Sequence, residues 1–174
     1  MPKGIRPTQN KVRKALFDIL GSIAGLSFLE LFAGSGAIGF EALSRGVREL
    51  ALVENDPGCL KLIREAIEGL KPPDCTLYPI GAEKAIGFFH GKGKRFDIVF
   101  LDPPYFKGLP KKTLQLLGAY DILAPNGLLA VQHFKKEDLP ESAGDLRLLK
   151  QYEYGDTLLT FYSHVPAGNI PGKL

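Results

Sequence analysis

The residues of this sequence with the clearest chemical potential are Asp102, Pro103, Pro104 and Tyr105, which directly follow the apolar segment Phe96–Leu101. That segment has the composition of a buried strand, and ligands of open α/β sheets bind at the carboxyl ends of the strands. The paired prolines stiffen the backbone, and Pro103 has no N–H, so its neighbouring carbonyl groups can point at a substrate. We therefore predict a rigid group of hydrogen-bond acceptors at this turn.

Such acceptors suit a planar amino group on a nucleic-acid base, whose nitrogen is a poor nucleophile because its lone pair is delocalised into the ring. Asp102 and the Pro103 carbonyl can each accept one amine hydrogen, and Tyr105 can stack on the base, a contact worth about 1 to 3 kcal/mol. Neither a metal nor a strong base is needed if the methyl donor is a cationic sulfonium, because positioning contributes much of the acceleration. The motif therefore predicts methyl transfer to an exocyclic amine.

A glycine-rich pattern lies earlier in the chain, where Gly34, Gly36 and Gly39 follow the apolar residues 27–31 with GxGxxG spacing and lead into a helical pattern. Glycines in such a loop let the backbone approach a ligand closely and expose amide donors at a helix N-terminus. Alone the pattern is weak evidence, because glycines are also common in tight turns.

Two acidic residues make the glycine pattern more specific. Glu54 ends the next apolar strand, eighteen residues after Gly36, where a carboxylate can accept both ribose hydroxyls of a nucleoside. Glu30 places a charge inside the first strand, where burial without a ligand or partner would be costly. These residues predict a nucleoside-containing cofactor and by themselves leave a dinucleotide-dependent oxidoreductase open; the Asp-Pro-Pro-Tyr motif favours the amine chemistry.

The elements that must position these residues alternate between short apolar runs and longer helical patterns, which is typical of a doubly wound α/β sheet with helices on both faces. Thr8 is a plausible N-cap of the first helix, and Pro57 suits the first turn of the third. Strands are predicted at residues 27–31, 49–54, 76–80, 96–101, 128–133, 146–152 and 157–162, the last two as an antiparallel hairpin, and helices at 8–21, 37–44, 57–69, 82–89 and 109–120.

Length and composition fit one domain of 174 residues with 45% apolar side chains. We expect that domain to cover residues 1–165 and a loose tail to follow at 166–174. Apolar runs are too short to span a bilayer and the basic N-terminus has no apolar signal core, so we predict a cytoplasmic protein without a membrane contact. Cys59 and Cys75 have no CxxC spacing and no nearby histidine cluster, and we predict neither a disulfide nor a metal site.

At this point the sequence resembles the RsmD family of small-subunit (16S) ribosomal RNA methyltransferases, which methylate guanine N2. The resemblance covers nearly the whole chain, and the combination of Arg-Pro-Thr near the start with Asp-Pro-Pro-Tyr is more specific than either alone. It implies a Rossmann-like class I methyltransferase fold with a seven-stranded, mostly parallel sheet, and S-adenosylmethionine as donor. The matching residues are Arg6-Pro7-Thr8, Val12-Arg13, Ala15-Leu16-Phe17, 31–36, 41–46, Val53-Glu54 and 96–105.

The family resemblance and the motifs together define the expected site. Glu54 is implied to bind the cofactor ribose, and residues 102–105 to surround the target guanine. The expected catalytic residues are Asp102, Pro103, Pro104 and Tyr105; the expected cofactor-binding residues are Glu30, Phe32, Ala33, Gly34, Ser35, Gly36, Glu54, Asn55, Ala82 and Asp102.

Two features depart from the family pattern. Relatives usually begin with a strand and a Gly-Arg turn ahead of Arg-Pro-Thr, whereas five residues precede it here, so part of the RNA-facing entrance is expected to be absent. Relatives also often carry an acid near position 81 that contacts the adenine amine, where this chain has Gly81; Glu83 or a backbone group could replace it.

Basic residues near the two motifs predict the RNA contacts. No acidic residue precedes Asp18, and the first helix combines an apolar face with a basic one that could hold phosphates. Lysines at 107, 111 and 112 follow the Asp-Pro-Pro-Tyr motif. The expected RNA-binding residues are Arg6, Thr8, Lys11, Arg13 and Lys107, and the expected partner is ribosomal RNA or the assembled small subunit, bound by a monomer.

Other functions stay open on the sequence alone. Methylation of adenine N6 or cytosine N4 in DNA uses the same acceptor geometry, although 174 residues leave no room for a separate target-recognition domain. A glutamine methyltransferase would generally carry Asn in place of Asp102, and a nucleoside-binding module without catalysis would bind the cofactor without turnover. His90, His133 and His164 lack a nucleophilic partner and are not assigned a catalytic role.

Overall fold

One eight-stranded sheet organises the computed structural model, which describes residues 7–164. Its spatial order is β3-β2-β1-β4-β5-β8-β7-β6; the first five strands are parallel, and the pairs that follow are antiparallel. In chain order the strands are β1 (Ser27–Leu31), β2 (Glu49–Val53), β3 (Cys75–Tyr78), β4 (Phe96–Leu101), β5 (Leu123–Phe134), β6 (Ser142–Ala143), β7 (Leu146–Tyr154) and β8 (Thr157–Ser163). Arg6 and the tail predicted at 166–174 lie outside the described residues.

Helices cover both faces of this sheet within residues 7–164. On one face α1, α2 and α3 pack around a buried cluster that includes Phe17, Ala42 and Ile63. On the other face α4 and α5 pack around a second cluster that includes Phe89 and Leu114. The helices are α1 (Pro7–Leu20), α2 (Ala37–Ser44), α3 (Pro57–Leu70), α4 (Ala82–Gly91) and α5 (Leu109–Ala119).

The predicted α/β fold with a C-terminal antiparallel hairpin is confirmed, but the prediction of seven strands is wrong for the described part of the chain. The additional strand, β6, has two residues, and it pairs antiparallel with the start of β7. Two residues are too few to produce the alternation of apolar and polar side chains by which a strand is recognised in a sequence.

Two predicted boundaries are also corrected. β5 begins at Leu123 instead of residue 128, because Pro125-Asn126-Gly127 has the composition of a turn although the strand continues through it with a register shift against β4. Helix α1 begins at Pro7, so Thr8 lies inside the helix and is not its N-cap. Proline suits the first helical position because the N–H that it lacks would have no partner there. The remaining predicted boundaries agree within two residues.

The order of the parallel strands creates the crevice in which ligands of such sheets bind. From β1 the chain moves outward to β2 and β3, and then returns to place β4 on the opposite side of β1. The connections after β1 and β4 therefore leave the sheet in opposite directions and open a crevice at their carboxyl ends. Leu31 and Leu101 are paired there, so the glycine loop and the Asp-Pro-Pro-Tyr motif begin side by side.

Candidate active site

The glycine loop between β1 and α2 is a tight turn held by backbone hydrogen bonds. The N–H of Ala33 donates to the Val53 carbonyl at 3.0 Å, and that of Gly36 donates to the Ala33 carbonyl at 2.8 Å. Gly36 has φ 78° at the N-cap of α2, a conformation that favours glycine. Phe32 also has a positive φ, 58°; a bulky residue in this region is strained, by about 1 to 3 kcal/mol, and such strain is concentrated at ligand sites.

Glu54, directly after β2, fixes the shape of this loop. One carboxylate oxygen accepts the Gly34 N–H at 2.7 Å, and the other accepts the N–H groups of Asn55 at 2.8 Å and Asp56 at 2.9 Å. Asp56 in turn caps α3, accepting the Cys59 N–H at 2.9 Å. The loops after β1 and β2 are thus tied together by one partly exposed carboxylate.

Glu30 is a buried acid on the floor of the crevice, with 3% of its surface exposed. Its carboxylate accepts the Gly39 N–H at 2.8 Å. Burial raises the pKa of Glu30 well above its ordinary value, the bond from Gly39 opposes the increase, and the negative charges of Asp102 and Glu54 add to it. Three carboxyl groups therefore approach one another at this end of the sheet.

Asp102 follows β4 and lies between two cavities, both of which it lines. Burial raises the pKa of Asp102 from 3.8 to about 7, because a desolvated carboxylate is disfavoured relative to the neutral acid. Near neutral pH this group exists in both protonation states. An amine hydrogen or a cationic ligand at the junction would favour the ionised form.

The smaller cavity, of about 250 Å³, lies over the glycine loop. It is lined by Glu30, Phe32, Ala33, Gly34, Ser35 and Asp102 of the predicted cofactor-binding residues. The four other predicted residues do not line it: Gly36 is buried in the turn, Glu54 bonds to the loop from behind, Asn55 follows Glu54, and Ala82 begins α4.

The larger cavity, of about 890 Å³, adjoins the first and contains the whole Asp-Pro-Pro-Tyr motif in its wall. The Tyr105 hydroxyl lies 3.3 Å from Thr157 Oγ1 on β8, and its ring centroid is 5.9 Å from that of Phe134 with planes inclined by 33°. Phe106, which has φ 65°, stands largely exposed at the edge of this aromatic group. The cavity therefore offers aromatic rings beside the acceptors of residues 102–105.

Gln9, Asp102 and Gln132 line both cavities, so these side chains mark the junction between them. Sequence reasoning identified Asp102 and missed both glutamines. Gln132 had a detectable signal, since it is a polar residue within the apolar run of β5, near the carboxyl end, as Glu30 is in β1. Gln9 had none, because only the packing of α1 over the sheet places it there.

The predicted RNA-binding residues occupy different positions around these cavities. Thr8 lies in the first turn of α1. Lys11 and Lys107 are exposed, whereas Arg13 is half-buried, lines the smaller cavity and donates to Asn10 Oδ1 at 3.3 Å. At the opposite end of the sheet, Lys94 and Arg95 form ion pairs with Glu49 and Asp121, and neither cation lines the two cavities.

His133 is fully buried on β5 behind the junction. Its Nε2 lies 2.8 Å from Thr160 Oγ1, and its Nδ1 lies 3.2 Å from the Phe134 carbonyl. Burial lowers the pKa of this imidazole, so the neutral ring donates from Nδ1 and accepts the threonine hydroxyl. His133 therefore belongs to the hydrogen-bonded interior behind the junction.

No described helix has the length and apolar character required to cross a membrane. In the same part of the chain, no group of three or more His, Cys, Asp or Glu side chains is arranged to hold a metal ion.

Comparison with known proteins connects this geometry to a family. The model of the family described as conserved hypothetical protein 95 matches residues 1–163. YlbH of Bacillus subtilis is 35% identical over 162 residues, which cover 90% of this chain and 86% of YlbH. The protein of Escherichia coli K12 named ribosomal RNA small subunit methyltransferase D is 32% identical over 166 residues, which cover 95% of this chain and 82% of that protein.

A solved structure with a similar sequence has the same fold. A conserved hypothetical protein of Streptococcus pyogenes is 34% identical and superposes with a TM-score of 0.81, covering 93% of this chain and 99% of its own. The family model, which matches residues 1–163, spans the residues that line both cavities and the C-terminal hairpin.

Proposed function

Because the chain belongs to the family of conserved hypothetical protein 95, the RsmD family, we propose that it transfers a methyl group from S-adenosylmethionine to guanine N2 in small-subunit ribosomal RNA. The observation that carries this proposal is the position of Asp102 between the cavity over the glycine loop and the cavity beside Tyr105. An acceptor at that junction can touch the amine of a base in one cavity while a donor occupies the other.

The residues of the smaller cavity fit S-adenosylmethionine by charge and by shape. Its sulfonium and amino groups are cationic, and Glu30 and Asp102 are carboxyl groups whose pKa values burial has raised; a nearby cation would favour their ionised forms. Gly34 lines the cavity and a Cβ there would have no atom within 4 Å, so this position leaves room for close approach of a ligand to the backbone. The bound donor supplies the methyl group. Its positively charged sulfur is the leaving group and keeps the electron pair of the bond that breaks.

The remaining predicted cofactor contacts follow from the loops that surround this cavity. Glu54 holds the loop through Gly34 and accepts two further N–H groups, which leaves about one lone-pair site for a ribose hydroxyl. The place of a Cβ on Gly81 lies 3.5 Å from the Asn55 amide nitrogen, whereas the Glu83 carboxylate is paired with Lys112 at 3.0 Å. We therefore assign the adenine end of the donor to Asn55 and the N-terminus of α4 at Ala82.

In the larger cavity the chain's own residues position the base. Asp102 and the Pro103 carbonyl accept the two amine hydrogens, which favours the pyramidal nitrogen that can attack. The rigid Pro104 turn keeps both acceptors in place, and Tyr105 stacks on the ring. As the N–C bond forms, the nitrogen releases one proton toward Asp102, whose pKa near 7 suits transient acceptance.

A base can enter this cavity only if it is turned out of its stack, as other enzymes that act on bases require. We propose that Lys11, Arg13 and Lys107 contact the flanking phosphates, with Arg6 and Thr8 at the start of the same segment. The proposed substrate is ribosomal RNA or the assembled small subunit, and the proposed active form is a cytoplasmic monomer. Light scattering of the free protein tests the oligomeric state directly.

Transfer of a labelled methyl group from S-adenosylmethionine tests the proposal. Unmodified small subunits, naked ribosomal RNA and DNA serve as acceptors, with Asp102→Ala as the control variant. We expect label on the ribosomal substrate, located at guanine N2 by nucleoside analysis, and a loss of about 10²-fold or more in Asp102→Ala. Label on DNA alone, or undiminished transfer by a folded Asp102→Ala, would refute the proposal.

A further inference from the structure

Gln132 is a buried polar residue for which the fold provides no partner. It lies near the carboxyl end of β5 with 9% of its surface exposed. Its side-chain amide forms no hydrogen bond with any residue in the range 7–164. Yet the side chain lines both cavities at their junction.

The side chain is mostly buried, and its amide faces the two cavities, where a bound ligand can reach it. Its neighbours along the strand differ: Val131 is part of the apolar core, and His133 has partners on both ring nitrogens. A residue of leucine's size would fill the same space but would offer the cavities no hydrogen-bonding group. The unpaired amide therefore points to a ligand that supplies the missing hydrogen bonds.

Sheet register places this amide beside the proposed acceptor of the reaction. Leu101 on β4 is paired with Val131 on β5, so Asp102 and Gln132 are the next residues on adjacent parallel strands. Both side chains line both cavities. If Asp102 holds the amine of a base, the other atoms on the same edge of that base therefore face Gln132.

The chemistry of that edge matches a glutamine side chain. In guanine the atoms next to the N2 amine are N1–H, a donor, and then O6, an acceptor. The planar amide of glutamine carries one acceptor, Oε1, and the donors on Nε2. We propose that Gln132 recognises the target base, with Oε1 accepting from N1–H and Nε2 donating to O6. This inference rests on the proposed function and adds that Gln132 selects the base on which the enzyme acts.

A buried amide at this junction could instead contact the donor. The two roles differ in what a Gln132→Leu variant loses. That variant should fold about as stably as the wild type, since the substitution keeps the side-chain volume similar and removes no hydrogen bond within residues 7–164. If Gln132 reads the base, the dissociation constant of S-adenosylhomocysteine changes by less than about twofold, while kcat/KM on the ribosomal substrate falls about 5- to 100-fold.

Substitution of the target base tests recognition directly. Once the modified guanosine is located, ribosomal RNA carrying 2-aminopurine at that position is prepared by ligation and reconstituted into small subunits. This base keeps the N2 amine but has no N1–H and no O6. We expect the wild type to prefer guanine over 2-aminopurine, and Gln132→Leu to lose about 5- to 100-fold of that preference. The ratio between variants cancels the intrinsic reactivity of the two amines.

Gln115→Leu is the matched control, because Gln115 is exposed on α5 and lines neither cavity; it should retain the wild-type preference. An equal preference for guanine in Gln132→Leu and wild type overturns the inference. A parallel loss of S-adenosylhomocysteine affinity and activity also overturns it, in favour of a donor contact. These failures leave wild-type activity on ribosomal RNA intact, whereas absence of that activity would overturn the proposed function together with the inference.

Discussion

Asp102 and Tyr105 carry the chemistry at the scale of single residues, and each has a property that a measurement can isolate. Asp102 is a carboxyl group whose pKa has been raised by burial, and Tyr105 is a ring held against β8 by its hydroxyl. Both follow the same strand, so separate substitutions are needed to distinguish acceptance of the amine from stacking of the base.

The activity of the enzyme should depend on the ionisation of Asp102. Only the carboxylate can accept both an amine hydrogen and the released proton, and the pKa of the group is about 7. We therefore expect kcat/KM to rise about tenfold per pH unit below that value and to become level above it. Initial rates at subsaturating S-adenosylmethionine across this range measure the profile of the free enzyme.

Asp102→Asn should abolish this inflection and lower the rate at every pH. Asp145→Asn, in the exposed segment between β6 and β7, should keep the wild-type profile. A wild-type profile that is flat through pH 7 would contradict the assigned role of the carboxylate.

Tyr105 should contribute mainly through its ring. Tyr105→Ala removes the stacking surface, so we expect a loss of about 1 to 3 kcal/mol, measured as a decrease in kcat/KM for RNA. Tyr105→Phe keeps the ring and loses the 3.3 Å contact with Thr157, which is worth about 1 kcal/mol or less. Equal losses in the two variants would assign the effect to the hydroxyl instead.

At the scale of elements, the close packing of α2 on the sheet positions the cofactor loop. A Cβ on Gly39 would lie 2.5 Å from Leu52 Cδ2 and 2.9 Å from Glu30 Oε2. Glycine at this position therefore lets the helix approach β1 and β2 and lets its own N–H reach the buried Glu30 carboxylate.

Gly39→Ala should accordingly destabilise the protein by about 1 to 3 kcal/mol through overpacking and weaken binding of S-adenosylhomocysteine. Gly87→Ala, inside α4 with no atom within 4 Å of the new Cβ, should stabilise it by about 0.5 to 1 kcal/mol. Urea denaturation measures both changes. A stable Gly39→Ala with unchanged ligand affinity would show that this contact does not position the loop.

At the scale of the whole molecule, affinity for RNA depends on where the basic residues lie more than on the net charge of +3. Lys94 and Arg95 are paired at the far end of the sheet, whereas Lys11 and Lys107 are exposed on the elements that flank the larger cavity. We expect Lys11 and Lys107 to neutralise RNA phosphates without contributing to the recognition of a particular RNA sequence.

Lys11→Ala and Lys107→Ala should each weaken RNA binding and reduce the slope of log affinity against log salt by about 1. Lys61→Ala on α3, whose side chain is 78% exposed and pairs within its own helix, should leave the slope unchanged. Titrations at several salt concentrations measure it. Equal slopes in all three variants would place the RNA on another surface.

The sequence alone was sufficient for those features that depend on local chemistry. A strand ending in Asp-Pro-Pro-Tyr, a glycine loop after another strand, the alternation of strands and helices and the family resemblance were all readable without a structure. The fold class, the family and the methyltransferase activity are confirmed. The roles of individual residues stay predictions that the experiments above address.

The tertiary structure decided which of these residues meet. The reversal of strand order between β1 and β4 brings Glu30 near Asp102 and sets Gln132 beside the latter. The packing of strands and loops also brings the Glu54 carboxylate within hydrogen-bonding distance of the Gly34 N–H. Such contacts join residues far apart in the chain, and the raised pKa values of Glu30 and Asp102 arise mainly from burial. Local patterns cannot specify either property, because both depend on how the sheet pairs and on what covers it.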